Sequence, residues 1–215
     1  MVQQRLLEVA IREFGAKGLD GASTRAIAAA AGTVMSSITY HYGGKEGLYL
    51  AAADYIAAKM ADRFDIASFA SASDPRSARA GIVDLLHLLV DKLMIPRNAA
   101  WSLFIVREQM NPTEAFERLY SGPMGQMLEA LIPLVALATG TLDDQQARCT
   151  VVTLFGQVLV MRAAQGVCTR LLMRAPDEPG LIRDFKARIA ANTHAILDQL
   201  STKAPASPCL AIPRS

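Results

Sequence analysis

Residues Ser23 to Lys45 read STRAIAAAAGTVMSSITYHYGGK. The stretch predicts two short helices, Thr24 to Ala31 and Val34 to Tyr40, joined by a tight turn at Gly32. Ser23 is placed to cap the first helix and Gly32 to close it. Gly43 and Gly44 end the second before Lys45 and Glu46 open another. Helices this short are marginal alone, so packing must hold them. Ile27, Ala30 and Ala31 are expected to pack on Ile38 and Tyr42, with Phe14 and Leu48 closing the unit. Val34, Met35, Ser36, Thr39, Tyr40 and His41 are left to line the exposed side of the second helix. Small polar and aromatic tips of this kind suit a DNA major groove. Thr24 and Arg25 begin the first helix and Lys45 begins the next, where hydroxyls, backbone N–H groups and cations can grip phosphates.

The rest of the chain reads as helix on both sides of this stretch. Gln3 to Lys17 carries Leu6, Leu7, Ala10, Ile11 and Phe14 at helical spacing, with Gly18 as its stop. The run opened by Lys45 puts Leu48, Ala52, Tyr55, Ile56 and Met60 on one stripe and reaches to Phe64. Ser68 to Ser77, SFASASDPRS, is the expected connection between two parts. Helices are expected over Gly81 to Ile95 and Asn98 to Met110. Asn111-Pro112-Thr113-Glu114 reads as a helix start with Asn111 as cap, and Gly122-Pro123 as a break. Met124 to Thr139 follows, ended by Gly140. Asp143-Asp144 starts a helix running to about Met173, apolar nearly all round between Val151 and Met161. Asp177 to Leu200 is amphipathic, and the tail from Ser201 holds three prolines. The expected fold is all-α: residues 1–50 a three-helix helix-turn-helix unit, 51–200 a helical bundle and 201–215 a loose tail.

Composition excludes several classes. The 215 residues include 36 alanines against 14 glycines and 10 prolines, which favours helix. With 22 Lys and Arg against 20 Asp and Glu the net charge is only +2, so any anion site must be local. Residues 1–50 carry five basic side chains and four acidic ones, a net of +1. The three cysteines form no CxxC pair, which speaks against a disulfide framework or a zinc knuckle and for a reducing cytoplasm. Met1 to Arg12 alternates charged and apolar residues unlike a signal peptide, and no stretch reaches the ~20 apolar residues of a membrane span.

Taken together, these residues resemble the TetR family of bacterial transcriptional regulators. The match lies in Phe14-Gly15-Ala16-Lys17-Gly18, Thr24-Arg25-Ala26-Ile27-Ala28, Ala31-Gly32 and Ile38 to Glu46. The remainder is similar to the CecR-type branch through VREQMNPTEAFERLY (Val106 to Tyr120) and LFGQVL (Leu154 to Leu159). Gly44, Gly47 and Tyr42 depart from the usual pattern, which has a polar cap, an acid and a phenylalanine there. The resemblance implies a homodimer formed through the last two long helices and an effector cavity in the C-terminal bundle. It also implies contacts to double-stranded operator DNA from Thr24, Arg25, Val34, Met35, Ser36, Thr39, Tyr40, His41 and Lys45. The implied protein is a repressor, with no cofactor, that a small molecule releases from a palindromic operator. The helix from Lys45 to Phe64 would link the two parts.

Candidate effector-binding residues are His87, Trp101, Phe104, Arg107, Met110, Phe116, Gln157 and Met161. Each has an ordinary structural reading beside it. The apolar ones can equally be core, and Arg107 with Glu108 can equally be an ion pair. His87 shares a helix face with Asp84 and Asp91, but one helix supplies too few ligands for a metal. Arg162 is open between the cavity and the dimer interface. The rival function is a helical ligand-binding protein or enzyme without DNA binding. Ser36, Ser37 and His41 come nearest to a nucleophile and base, yet no acid in the sequence stands ready to orient the histidine. No phosphate loop, HExxH or dinucleotide fingerprint is present.

Overall fold

The computed structural model describes residues 2–61, 71–94, 98–140, 143–175 and 178–201, and among them it contains helices and no strand. The first four helices are α1 (Val2–Gly21), α2 (Thr24–Ala31), α3 (Met35–Tyr42) and α4 (Lys45–Ala61). Then come α5 (Pro75–Met94), α6 (Ala99–Met110) and α7 (Glu114–Leu119), followed by a π-helical turn at Tyr120–Met124. The last four are α8 (Gly125–Thr139), α9 (Asp144–Ala163), α10 (Gln165–Leu172) and α11 (Pro179–Ser201).

Local chemistry explains most boundaries. The Ser23 hydroxyl accepts from the Ala26 N–H at the start of α2. At its end Gly32 is left-handed (φ 72°), and the Thr33 N–H reaches back to the Ala28 carbonyl, as in a Schellman cap. Asp143 caps α9 by accepting from the Gln146 N–H. Gly140 ends α8 at φ 72°.

Several expectations are refined or corrected. Gly18 does break the first helical run, its φ of 75° and ψ of 177° being non-helical, but a further turn beyond this kink carries α1 to Gly21. Asn111 ends α6, and the cap of α7 is Thr113, whose hydroxyl accepts from the Ala115 N–H. Pro112 lacks an N–H and so sits naturally between the two helices. The expected break at Gly122-Pro123 is present, with Gly122 non-helical (φ −93°, ψ −154°) inside the π-turn. The long helix from Asp144 divides at Ala164, and α10 after it buries none of its side chains. In the helix pair, Ile27, Ala28 and Ala31 are buried while Ala30 is exposed, because Ala28 lies one turn before Ala31 on the inner face. The tail beyond residue 201, the far end of the Lys45 to Phe64 run and the first three residues of the Ser68 to Ser77 connection lie outside the described residues, and the connection is shorter than expected because α5 already begins at Pro75.

Two apolar clusters hold the structure. The first gathers Phe14 of α1, Ile27, Ile38, and Leu48 and Ile56 of α4, all within 1% of full burial. It also takes in Phe104 and Ile105 of α6 and Leu119 of α7. At roughly 1.5–3 kcal/mol per buried large side chain, this shared core ties the helix pair to α6 and α7. The second cluster joins Ile82, Leu85 and Leu89 of α5 to Leu131 and Leu134 of α8, Leu154 and Val158 of α9, and Ile189 and Leu197 of α11. Helix α4 crosses the expected boundary at residue 50 without interruption.

Candidate nucleic-acid interface

α3 is anchored by one side chain. Ile38 is its buried residue, pressed into the first cluster. Val34 precedes the helix in extended conformation (φ −96°, ψ 150°), and Gly43 closes it left-handed with its N–H on the Thr39 carbonyl. Thr33 donates its hydroxyl to Ser37 at 3.1 Å, bracing the turn.

Everything else on the outward face of α3 is exposed. Val34, Met35, Ser36, Thr39, Tyr40 and His41 all face solvent, with Tyr40 at 85% exposure. The Tyr40 and His41 rings meet edge-on at 4.9 Å, and the Gln3 amide nitrogen lies 3.4 Å from His41 Nδ1. A large apolar tip exposed to this degree beside polar ones is unusual unless the face meets a partner. Arg25 is exposed and Thr24 half-buried at the start of α2. Lys45 is half-buried and donates its ammonium to the Asp20 carbonyl oxygen at 3.0 Å. The nine side chains expected at the interface thus come from α3, its N-cap and the starts of α2 and α4.

The turn before α4 accounts for two departures from the family pattern. Gly43 and Gly44 have φ of 73° and 124°, backbone that L side chains rarely adopt. A Cβ at Gly47 would overlap the Tyr42 carbonyl oxygen, so this path of the chain calls for glycine there. Burial raises the pKa of the Tyr42 hydroxyl above its ordinary value.

The eight candidate effector residues do not form one group. Trp101 lines a small cavity of about 60 Å³ with Met60, Leu89 and Ile105. Phe104 is fully buried in the first cluster, against the Tyr49 ring at 4.7 Å. Met161 is buried in the second cluster, and Met110 is 70% exposed. Phe116 stacks on Tyr120 at 5.7 Å. His87 bonds the Lys186 carbonyl oxygen at 2.9 Å, and Gln157 accepts from Asn192 at 3.0 Å. Arg162 donates twice to the Leu93 carbonyl oxygen, at 3.1 and 2.8 Å. Asp91 is paired with Lys186, and no metal-holding group of His, Cys, Asp and Glu occurs among the described residues.

Arg107 and Glu108 serve neither as an open anchor nor as a mutual pair. Arg107 donates to the carbonyl oxygens of Gly15 (3.3 Å) and Ala16 (3.1 Å), just before the kink in α1. A Cβ at Gly15 would come within 2.8 Å of the Ala100 carbonyl oxygen, so α1 and α6 are in close contact there. Glu108 is buried and accepts from the Tyr49 hydroxyl and from Thr113. A larger cavity, about 380 Å³, lies elsewhere, between α8 and α9 and bounded by Gln109 and Tyr120. None of the eight candidates lines it. Its polar groups, Glu129 and Arg148, gave no sequence signal beyond the Asp144-to-Arg148 spacing of a helical ion pair.

A short exposed helix, held behind a glycine turn on a three-helix unit and joined to a second helical core, is the architecture of a helix-turn-helix transcriptional regulator. Residues 6–52 match the family model described as bacterial regulatory proteins of the tetR family. Residues 78–200 match that of the C-terminal domain of the HTH-type transcriptional dual regulator CecR. The chain is 32% identical over 169 residues to the dual regulator CecR of Shigella flexneri, covering 74% of this chain and 75% of that one. A TetR-like regulator from Rhodococcus superposes with a TM-score of 0.67 at 16% identity, over 92% of this chain and 96% of that chain. AibR, solved with isovaleryl coenzyme A and operator DNA, superposes with a TM-score of 0.63 at 16% identity, over 89% and 97%. The chain belongs to the TetR family of bacterial transcriptional regulators, in the branch with the CecR-type C-terminal domain.

Proposed function

We propose that this regulator binds a palindromic operator as a homodimer, represses from it, and is released by a small-molecule effector. The observation that carries the reading is the outward face of α3, where Val34, Met35, Ser36, Thr39, Tyr40 and His41 stand exposed around the single anchor Ile38. Inserted in a major groove, these tips would read base edges, while Thr24, Arg25 and Lys45 hold phosphates on either side. Residues 1–50 form the DNA-binding part, and 51–200 the part for dimerisation and effector binding.

The small charge of the N-terminal part favours two copies. With a net of +1 over residues 1–50, one unit neutralises few phosphates, and two linked units supply the affinity through effective concentration. The dimer would join α9 and α11, and the exposed Val160 of α9 supports that placement. The recognition helices would then sit about 34–36 Å apart, one turn of DNA. An effector releases the operator by favouring a different separation, which demands different affinity for the two states. AibR, of the same fold, is a protein held with both an acyl-coenzyme A and operator DNA, which favours an effector-linked reading here. No single helix among the described residues is long and apolar enough to cross a membrane, in keeping with a protein working on DNA in the cytoplasm.

Selection of genomic fragments by the purified protein tests this reading. A recovered site with two inverted half-sites about one turn apart, about 10 base pairs, is the expected result. Fragments without inverted symmetry would overturn the dimeric operator.

A further inference from the structure

The cleft of about 380 Å³ between α8 and α9 falls within the range of small-molecule sites, roughly 300–1,000 Å³. Its walls are Leu128 and Ile132 of α8 and Val151, Val152 and Phe155 of α9. One side is closed by Gln109, on α6 next to Glu108, and by Tyr120 in the π-turn. The rim carries the charge: Glu129 accepts from the Tyr120 hydroxyl at 3.1 Å and pairs with Arg148 at 3.2 Å. Arg148 also pairs with Asp144 at 2.6 Å.

We propose that this cleft is the effector site and that it takes an apolar molecule bearing one positive charge. The inference rests on the regulator reading and adds to it the site and the sign of the ligand. Two carboxylates face one guanidinium at the rim, a net of −1. A ligand cation brought to Glu129 lets Arg148 keep Asp144, so every charged group retains a partner. A ligand anion finds Arg148 already shared between two carboxylates and raises the local charge to −2. The apolar walls take the body of the ligand, and Gln109 and Tyr120 give its position a direct contact with α6 and the π-turn. Those two elements bear on the first cluster through Phe104, Ile105 and Met124.

The test is a fluorescence titration of the full-length protein with two apolar dyes, a dimethylaminostyryl-pyridinium monocation and the anion anilinonaphthalene sulfonate. The cation should bind saturably and more tightly than the anion. Glu129→Gln should weaken the cation about three- to fivefold, the scale of a half-exposed ion pair, and Arg148→Gln should tighten it by a similar factor. Circular dichroism of both variants should stay that of the wild type, since both side chains are half-exposed. Tighter binding of the anion, no saturable binding of either dye, or no response to Glu129→Gln overturns the proposal. Operator binding by the same samples separates the readings: a protein that shifts operator DNA but fails the dye test loses the cleft and keeps the regulator.

Discussion

The Tyr49 hydroxyl of α4 donates to the Glu108 carboxylate of α6 at 2.5 Å, and both residues are buried. The same carboxylate accepts from the Thr113 N–H (3.1 Å) and hydroxyl (2.9 Å). A buried carboxylate is tolerated only where donors surround it, and here they come from both sides of the joint between α4 and the α6–α7 turn. Burial first, then the hydrogen bond and the negative charge of Glu108, drive the Tyr49 pKa well above its ordinary value. The Tyr49 ring also meets Phe14 at 4.9 Å and Phe104 at 4.7 Å. One side chain thus contacts both α1 and the α6 core.

Tyr49→Phe keeps the ring contacts and removes one donor from Glu108. The expected cost is about 1–3 kcal/mol of unfolding free energy, the scale for a buried group left short of a partner. Urea denaturation checks it. A loss no larger than that of an exposed Tyr→Phe change would show that Glu108 does not depend on this bond.

Arg107→Ala frees the Gly15 and Ala16 carbonyls just ahead of the Gly18 kink. The expected loss is about 1–2 kcal/mol, since the hydrogen bonds are charge-assisted but the guanidinium is half-exposed. Arg107→Lys should recover only part of it, because an ammonium cannot reproduce the planar fork that meets two successive carbonyls. Equal stability of the Lys variant and the wild type would contradict this role.

Asp74 opens α5 by accepting from the N–H groups of Ser77 and Arg76 at 3.0 and 2.8 Å, and the Ser77 hydroxyl donates to it as well. These bonds, those from Ser77 foremost, hold its pKa below the ordinary carboxylate value. A depressed folded pKa gives stability that is present above the unfolded value and lost as pH falls through the folded one. Asp74→Ala should therefore lower Tm at pH 7, and the gap to wild type should close as the pH falls through the carboxylate range. A gap independent of pH would place the effect elsewhere.

The boundaries that the sequence made legible are those set by local chemistry. Gly32 and Gly43 ended α2 and α3 where expected, within two residues, because left-handed caps are written in single residues. Asn111 misled because a cap is decided by which backbone N–H a side chain reaches, and Thr113 was better placed. Phe104 looked like a pocket residue because helical periodicity identifies an inward face without saying which core it enters. The cleft was not legible for a related reason. Glu129 and Arg148 stand 19 positions apart, and their meeting depends on how α8 lies against α9.

Lys45 and Tyr40 should separate general from specific contacts. Lys45→Ala should weaken binding to all sequences alike and reduce the salt slope by ~1, as expected for one lost phosphate contact. A changed sequence preference would instead make Lys45 a reader of bases.

The most direct test of the account is a mobility shift on DNA from the gene's own upstream region, at two salt concentrations, comparing wild type with Tyr40→Ala. Tyr40 is exposed, so its truncation should leave the fold intact. The account predicts specific, salt-dependent binding by the wild type and a loss of about tenfold in the variant, near the lower end of a base or phosphate contact. A Tyr40→Ala protein that shifts the DNA as well as the wild type would contradict the assignment of α3 as the recognition helix.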